Sequence, residues 1–244
     1  MSACKNKKCT SLVGVEKGRL AVFCSVVPNL AATLLLALAR RRLSKRKEGP
    51  PPLLLAVFGP AGCGKSSVAA ALAKRLGLPM IEADDHHDDA ARKKMTDGFA
   101  LNDDDRAPWL IRVRDAVASA SAKAGGAVLA CSALKSKYRR VLASSELTSD
   151  MAFVYLKTSA DTLRARVEER QKVTGHFFPP QLVTSQLETL EIDDNVAAYN
   201  TERGAGGAKA LVEHIVADVL ALQSASSWSA PAFYAKVNHA VRMA

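Results

Sequence analysis

Four residues, Gly59, Gly64, Lys65 and Ser66, stand in the spacing G-x-x-x-x-G-K-S. The whole run is Gly59, Pro60, Ala61, Gly62, Cys63, Gly64, Lys65, Ser66, followed by Ser67. Glycines there let the backbone turn tightly and aim successive N–H groups at one anion. Lys65 can bridge the β- and γ-phosphates of a nucleotide, and the Ser66 hydroxyl can ligate Mg²⁺. A helix beginning near Lys65 adds its positive dipole end.

Four further groups are placed to act beside it. Glu82-Ala83-Asp84-Asp85-His86-His87 offers carboxylates that can orient Mg²⁺ through water or take a proton from an attacking hydroxyl. A solvated acidic loop is the plain alternative. DDHHDD (84–89) taken alone also suits a metal cluster, although no second His-rich segment accompanies it. Asn102-Asp103-Asp104-Asp105-Arg106 holds an arginine able to grip an anion with both arms, or else simply caps a helix with acids. Cys131-Ser132-Ala133-Leu134-Lys135 follows an apolar run. Arg166 and Arg170 lie one helical turn apart, before the break GHFFPP (175–180). They can stabilise charge developing on a transferred phosphoryl, or face solvent with Glu168 and Glu169. No strand ends in a plain aspartate of the Walker B kind, so the metal is expected on Ser66, water and the Glu82/Asp84 loop.

These groups need a scaffold. Apolar runs at 54–58, 79–82, 127–131 and 151–156 read as strands, with a weak fifth at 196–199. Between them, helical patterns occupy 67–76, 90–95, a stretch with Pro108 in its first turn, 134–142, 160–170 with Ser159 as cap, 181–191 and 209–222. Alternating strands and helices mean an α/β doubly wound parallel sheet with helices on both faces. Ligands of such sheets bind beyond the carboxyl ends of the strands, where all the named groups fall.

The net charge of +10 suggests a nucleic-acid binder until it is located. Residues 1–48 hold eleven cations and two anions, so they carry +9 and the rest only +1. The globular part gives no reason to expect nucleic acid. Five scattered cysteines without zinc spacing fit a reducing compartment. Residues 20–39 are uncharged over twenty positions, with the denser cationic flank following. Three readings stay open: a single-span anchor holding the domain in the cytosol, an organelle-targeting leader, or an extension foreign to the native protein. Cytoplasmic placement, with membrane association through 20–39 as a variant, is the expectation. Glu48-Gly49-Pro50-Pro51-Pro52 reads as a stiff linker. The expected divisions are an extension at 1–48, a P-loop kinase domain at 49–222, and a loose Ser/Ala-rich tail at 223–244.

Taken together, these residues resemble the gluconokinase family of small P-loop sugar-acid kinases. The likeness rests on Asp84 with His87, Lys94-Met95, Gly98, LNDDDRAPWL (101–110) and CSALKSKYRR (131–140). FVYLK (153–157), Arg166 with Arg170, GHFF (175–178) and SQLETLE (185–191) extend it. It covers about residues 53–222 in order. The resemblance implies a nucleoside-kinase-like fold with a mobile lid, ATP and Mg²⁺, phosphorylation of D-gluconate at its 6-hydroxyl, and a homodimer. By matching position it implies that residues 59–67 hold ATP and that Lys65, Asp84, Arg166 and Arg170 are catalytic. It implies that Asp84, His87, Arg106, Lys135, Arg139 and His176 meet gluconate. Asp88, Ala91 and Arg140 depart from the family's usual Pro, Asn and Asp. Rival readings are another small-metabolite kinase, such as a shikimate-like one, and a membrane-anchored nucleotide-binding adaptor without turnover.

Overall fold

The computed structural model describes residues 51–243, apart from 98, 146, 149, 175–181, 203–206 and 226. The extension at 1–48 and His176 therefore lie outside the described residues.

Five parallel strands form one sheet: β1 (Leu53–Phe58), β2 (Met80–Glu82), β3 (Gly126–Cys131), β4 (Ala152–Lys157) and β5 (Ala197–Asn200), in the order β2-β3-β1-β4-β5. The central strand β1 pairs with β3 on one side, Leu53 to Gly126 through Phe58 to Cys131, and with β4 on the other. Every residue of β1 and β3 is buried, as expected of strands covered on both faces.

Alternation along β1 builds two cores. Leu53, Leu55 and Val57 point to one face. There they meet Val68, Ala69 and Leu72 of α1 (Lys65–Leu76), Leu163 of α5 (Ala160–Thr174) and Val183 of α6 (Leu182–Thr189). Val212, Ile215 and Val219 of α7 (Gly207–Ser224) complete that side. Leu54, Ala56 and Phe58 point to the other face. They meet Trp109, Leu110 and Val113 of α3 (Asp103–Ala124), and Tyr138 and Leu142 of α4 (Ser136–Leu142). The short α2 (Asp89–Thr96) follows a 3-10 turn (Ala83–His86).

Three local outcomes differ from the sequence expectation. α3 starts five residues before Pro108 because Asn102 and Asp105 form a reciprocal capping box, each side chain accepting from the other's backbone N–H. The weak fifth strand forms, since β4 supplies a parallel partner from Val154 through Lys157. The tail at 223–244 is not loose. It folds into α8 (Ala230–Met243), which buries Ala230, Phe233, Tyr234 and Val237 at helical spacing. The Tyr234 hydroxyl accepts from Phe153 N at 2.9 Å and donates to Met151 O at 3.3 Å, tying α8 to the entry of β4. Among the described residues no helix is long and apolar enough to cross a membrane.

Candidate active site

The phosphate loop occupies the turn between β1 and α1. Gly62 has φ +84°, and a Cβ there would stand 2.9 Å from Leu163 O. Only glycine lets the loop lie this close to α5. Gly64, at φ +93°, caps α1 with no side chain over the first N–H groups, which leaves them open to an anion. The Lys65 ammonium donates to Pro60 O at 3.1 Å, folded over its own loop. Gln186 Oε1 accepts from Ala61 N at 2.7 Å. Arg166 Nη1 reaches Gly62 O at 3.4 Å, so α5 lays an arginine across the loop. Arg170 sits one turn further along α5, exposed.

Beside the loop, β2 ends in the half-buried Glu82, close enough to Ser66 and Lys65 for both to act on its carboxyl. Burial holds the Glu82 carboxyl above its ordinary range, and the charges of Asp84 and Asp85 add to this against Ser66 and Lys65. The Cys131 thiol at the end of β3 is pushed up to about 12 by burial, and the charges of Asp84, Lys65 and Glu82 all reach it. Glu82 pairs with Ala130 of β3 and Phe58 at the end of β1 pairs with Cys131, so the phosphate loop and the Glu82–Asp84 loop leave the sheet on either side of one strand end. Asp84 itself opens to solvent, its side chain 81% exposed.

His87 points inward, 6% exposed, with Nε2 3.9 Å from Asp84 Oδ1. Its ring stacks on Trp109 at 4.5 Å, while Trp109 Nε1 donates to Ala83 O at 2.8 Å. Burial, reinforced by Arg92 and Arg112, lowers the His87 imidazole below its ordinary range, so it is neutral at neutral pH. Asp88 turns away and caps α2 through Ala91 N at 2.8 Å. The side chains of DDHHDD therefore diverge, and among the described residues no three His, Cys, Asp or Glu form a metal-holding group.

The loop after β3 carries the cations. Ala133 takes φ +38°, a left-handed conformation that costs a residue with a Cβ about 1 kcal/mol. Lys135, Lys137 and the Tyr138 hydroxyl all bond the Asp103 carboxylate. Lys137 first, then Tyr138 and Lys135, drive that carboxyl far below its ordinary range. Arg106 lies over the Tyr138 ring, 5.7 Å from its centroid, with Nη1 3.4 Å from the hydroxyl. Arg106 and Lys135 thus share the Tyr138 ring, and Lys135 also holds Asp103.

Arg139 is not brought to this pocket. Its side chain is 4% exposed, and its donors are used inside the protein. Nη1 bonds Ala133 O and Leu134 O at 3.0 and 3.2 Å, and Nη2 bonds Glu191 O and Asp193 Oδ2 at 2.8 and 3.1 Å. The guanidinium stacks over Phe58 at 5.0 Å. Its position in the motif matches the expectation, but its geometry makes it a brace for the strained Ala133 turn. Three groups escaped the sequence reading: Asp103 as a hub, Tyr138 as its partner, and Gln186 on the phosphate loop. The run LNDDDR signalled the first. Nothing local signals Gln186, whose partner lies 125 residues away.

Known proteins resemble this chain in sequence and fold. Residues 61–216 match the Shikimate kinase family. A gluconokinase of Gluconobacter oxydans is 43% identical over 144 residues, covering 59% of this chain and 78% of that protein. The crystal structure of a gluconokinase from Sinorhizobium meliloti aligns with a TM-score of 0.57 at 36% identity, over 72% of this chain and 99% of that one. A sugar kinase from Janibacter aligns at 0.60 with 31% identity, over 75% and 98%. The phosphate loop beside the exposed Asp84 loop, the family match and these likenesses agree: the chain belongs to the gluconokinase family of P-loop kinases.

Proposed function

We propose that the protein phosphorylates D-gluconate on its 6-hydroxyl with ATP. The observation that carries this is the exit of the phosphate loop, with Lys65 and Ser66, and of the Glu82 loop, with the exposed Asp84, on either side of the end of β3, in a chain of this family. The site's chemistry fits Mg²⁺ and ATP: uncapped N–H groups at the start of α1, a glycine cradle at Gly62, and a serine hydroxyl at the first turn of α1 beside the carboxylate that ends β2. Residues 59–67 would hold the nucleotide, and Ser66 with Glu82 behind it would hold the metal. Bound Mg²⁺ and ATP supply the phosphoryl group and offset charge on the β- and γ-oxygens.

The remaining work falls to side chains. Lys65 exchanges Pro60 O for phosphate oxygen. Asp84 orients the 6-hydroxyl and takes its proton. His87, neutral and fixed on Trp109, keeps the floor beneath Asp84 in place. Arg106 and Lys135 receive the gluconate carboxylate, which competes with Asp103 for the lysine. Arg166, already lying over Gly62, stabilises charge on the moving phosphoryl, and Arg170 extends that flank as a lid. The extension at 1–48 is dispensable for this chemistry, and the active form is a homodimer.

Asp84→Asn beside Asp85→Asn tests the assignment. Asp84→Asn should bind ATP nearly as wild type by calorimetry, yet lose at least ~100-fold in kcat, the scale of a positioned general base. Asp85→Asn should lose far less. The reverse pattern would place the base on the wrong residue.

A further inference from the structure

The segment from Gln186 to Asp193 touches both halves of the site. At its start, Gln186 Oε1 takes the N–H of Ala61 in the phosphate loop at 2.7 Å. At its end it grips the loop after β3. Glu191 N donates to Leu134 O at 2.9 Å, and Glu191 Oε2 accepts from Ser136 N at 2.7 Å. Asp193 Oδ2 accepts from Ser136 Oγ and from Arg139 Nη2, each at 3.1 Å.

The Glu191 contact has a specific reason. The residue at the N-cap of α4 is Lys135, which has no acceptor to satisfy the first N–H groups. Glu191 supplies that carboxylate from 55 residues away, where the helix dipole favours a negative charge. Lys135 is left to reach Asp103 on the acceptor side. Just before the first grip, Val183 is fully buried and seats α6 in the core, and between the grips Leu187 packs against the same core. Donor loop and acceptor loop are therefore joined by one short, seated segment as well as by the sheet.

We propose that residues 186–193 are a positioning strap, with Gln186 and Glu191 as its anchors, that sets the phosphate loop and the acceptor loop in register. In-line transfer depends on the relative placement of the two substrates, and an error of about 1 Å can cost about a hundredfold. The strap acts on that placement, not on the affinity for either substrate. This role rests on the kinase reading only for its effect on turnover; the mechanical link is testable without it.

The test uses the full chain with Gln186→Met, Glu191→Met, both together, and Glu191→Gln, which keeps an oxygen for Ser136 N. Hydrogen exchange is followed in peptides spanning 59–66 and 131–140. Loss of either anchor should speed exchange about fivefold or more in both peptides, including the one distant from the substitution. Turnover should fall about tenfold in each single variant, with both KM values within about threefold of wild type. The double variant should be little worse than either single one, because one released end already frees the strap. Glu191→Gln should restore most of the rate. Exchange changes confined to the substituted side, or fold-losses that multiply in the double variant, would overturn the strap. So would unchanged kcat in both single variants. If wild type fails to turn over gluconate, the functional reading falls, and the exchange data alone still decide the strap.

Discussion

Arg139→Met separates two roles for a residue that its motif places at the substrate and its geometry places in the core. Methionine keeps most of the aliphatic stem and loses four hydrogen bonds. Three of the acceptors are backbone carbonyls, of Ala133, Leu134 and Glu191. Each carbonyl left short of a donor costs about 1 kcal/mol where water can reach it. Asp193 is 37% exposed, so its charge regains solvent and adds little. The loss of the stack on Phe58 adds about 0.5 kcal/mol. The expected destabilisation is about 3–4 kcal/mol, or a fall in Tm of about 10 °C for a domain of this size. Urea unfolding followed by circular dichroism reads it. Arg139→Lys should rescue little, because a single ammonium cannot reproduce a planar fork bonded at both ends. If Arg139→Met unfolds within about 0.5 kcal/mol of wild type while the gluconate KM rises tenfold or more, Arg139 contacts substrate and the bracing argument fails.

Three other outcomes are expected. Burial holds the Glu82 carboxyl high, so its ionised form costs the folded state stability at neutral pH, and that cost fades as pH falls below the folded-state value. Glu82→Gln should therefore melt above wild type at pH 7, with the gap closing below about pH 4, while Mg²⁺-dependent turnover drops; a lower melting temperature at pH 7 contradicts this. Phe233 is fully buried in α8, so Phe233→Ala should cost about 3–5 kcal/mol in urea unfolding, and a loss under about 1 kcal/mol would mean that α8 is dispensable. Arg166→Ala should lower kcat about tenfold or more with little change in gluconate KM, and an unchanged kcat would reduce Arg166 to a surface contact.

The donor half of the site was legible because its chemistry is local. A glycine-rich turn between an apolar strand and a helix can be read from eight consecutive residues, 59–66. The acceptor half was legible mainly through whole motifs. Arg106 and Lys135 do share a partner, the Tyr138 ring, but Arg139 sits in the same motif as Lys135 and turns the other way. Sequence position cannot give the direction of a side chain on a helix of about two turns such as α4. The tail was misread for another reason. Averaged over 223–244, its serines and alanines hide Ala230, Phe233, Tyr234 and Val237, whose spacing is that of an amphipathic helix. Gln186 had no local signal at all, since an amide on a helix acquires meaning only from what lies opposite it in the fold.

The central claim is tested most directly by ADP release with Mg²⁺ and ATP across gluconate, glucose, sorbitol and shikimate, with the product identified by phosphorus NMR. Arg106 and Lys135 supply charged partners for a carboxylate, and losing one such partner costs roughly 1.5–3 kcal/mol. Gluconate should therefore exceed the neutral polyols by about ten- to a hundredfold in kcat/KM, exceed shikimate as well, and yield a 6-phosphate ester. Equal turnover of sorbitol and gluconate, or faster turnover of shikimate, would contradict the account.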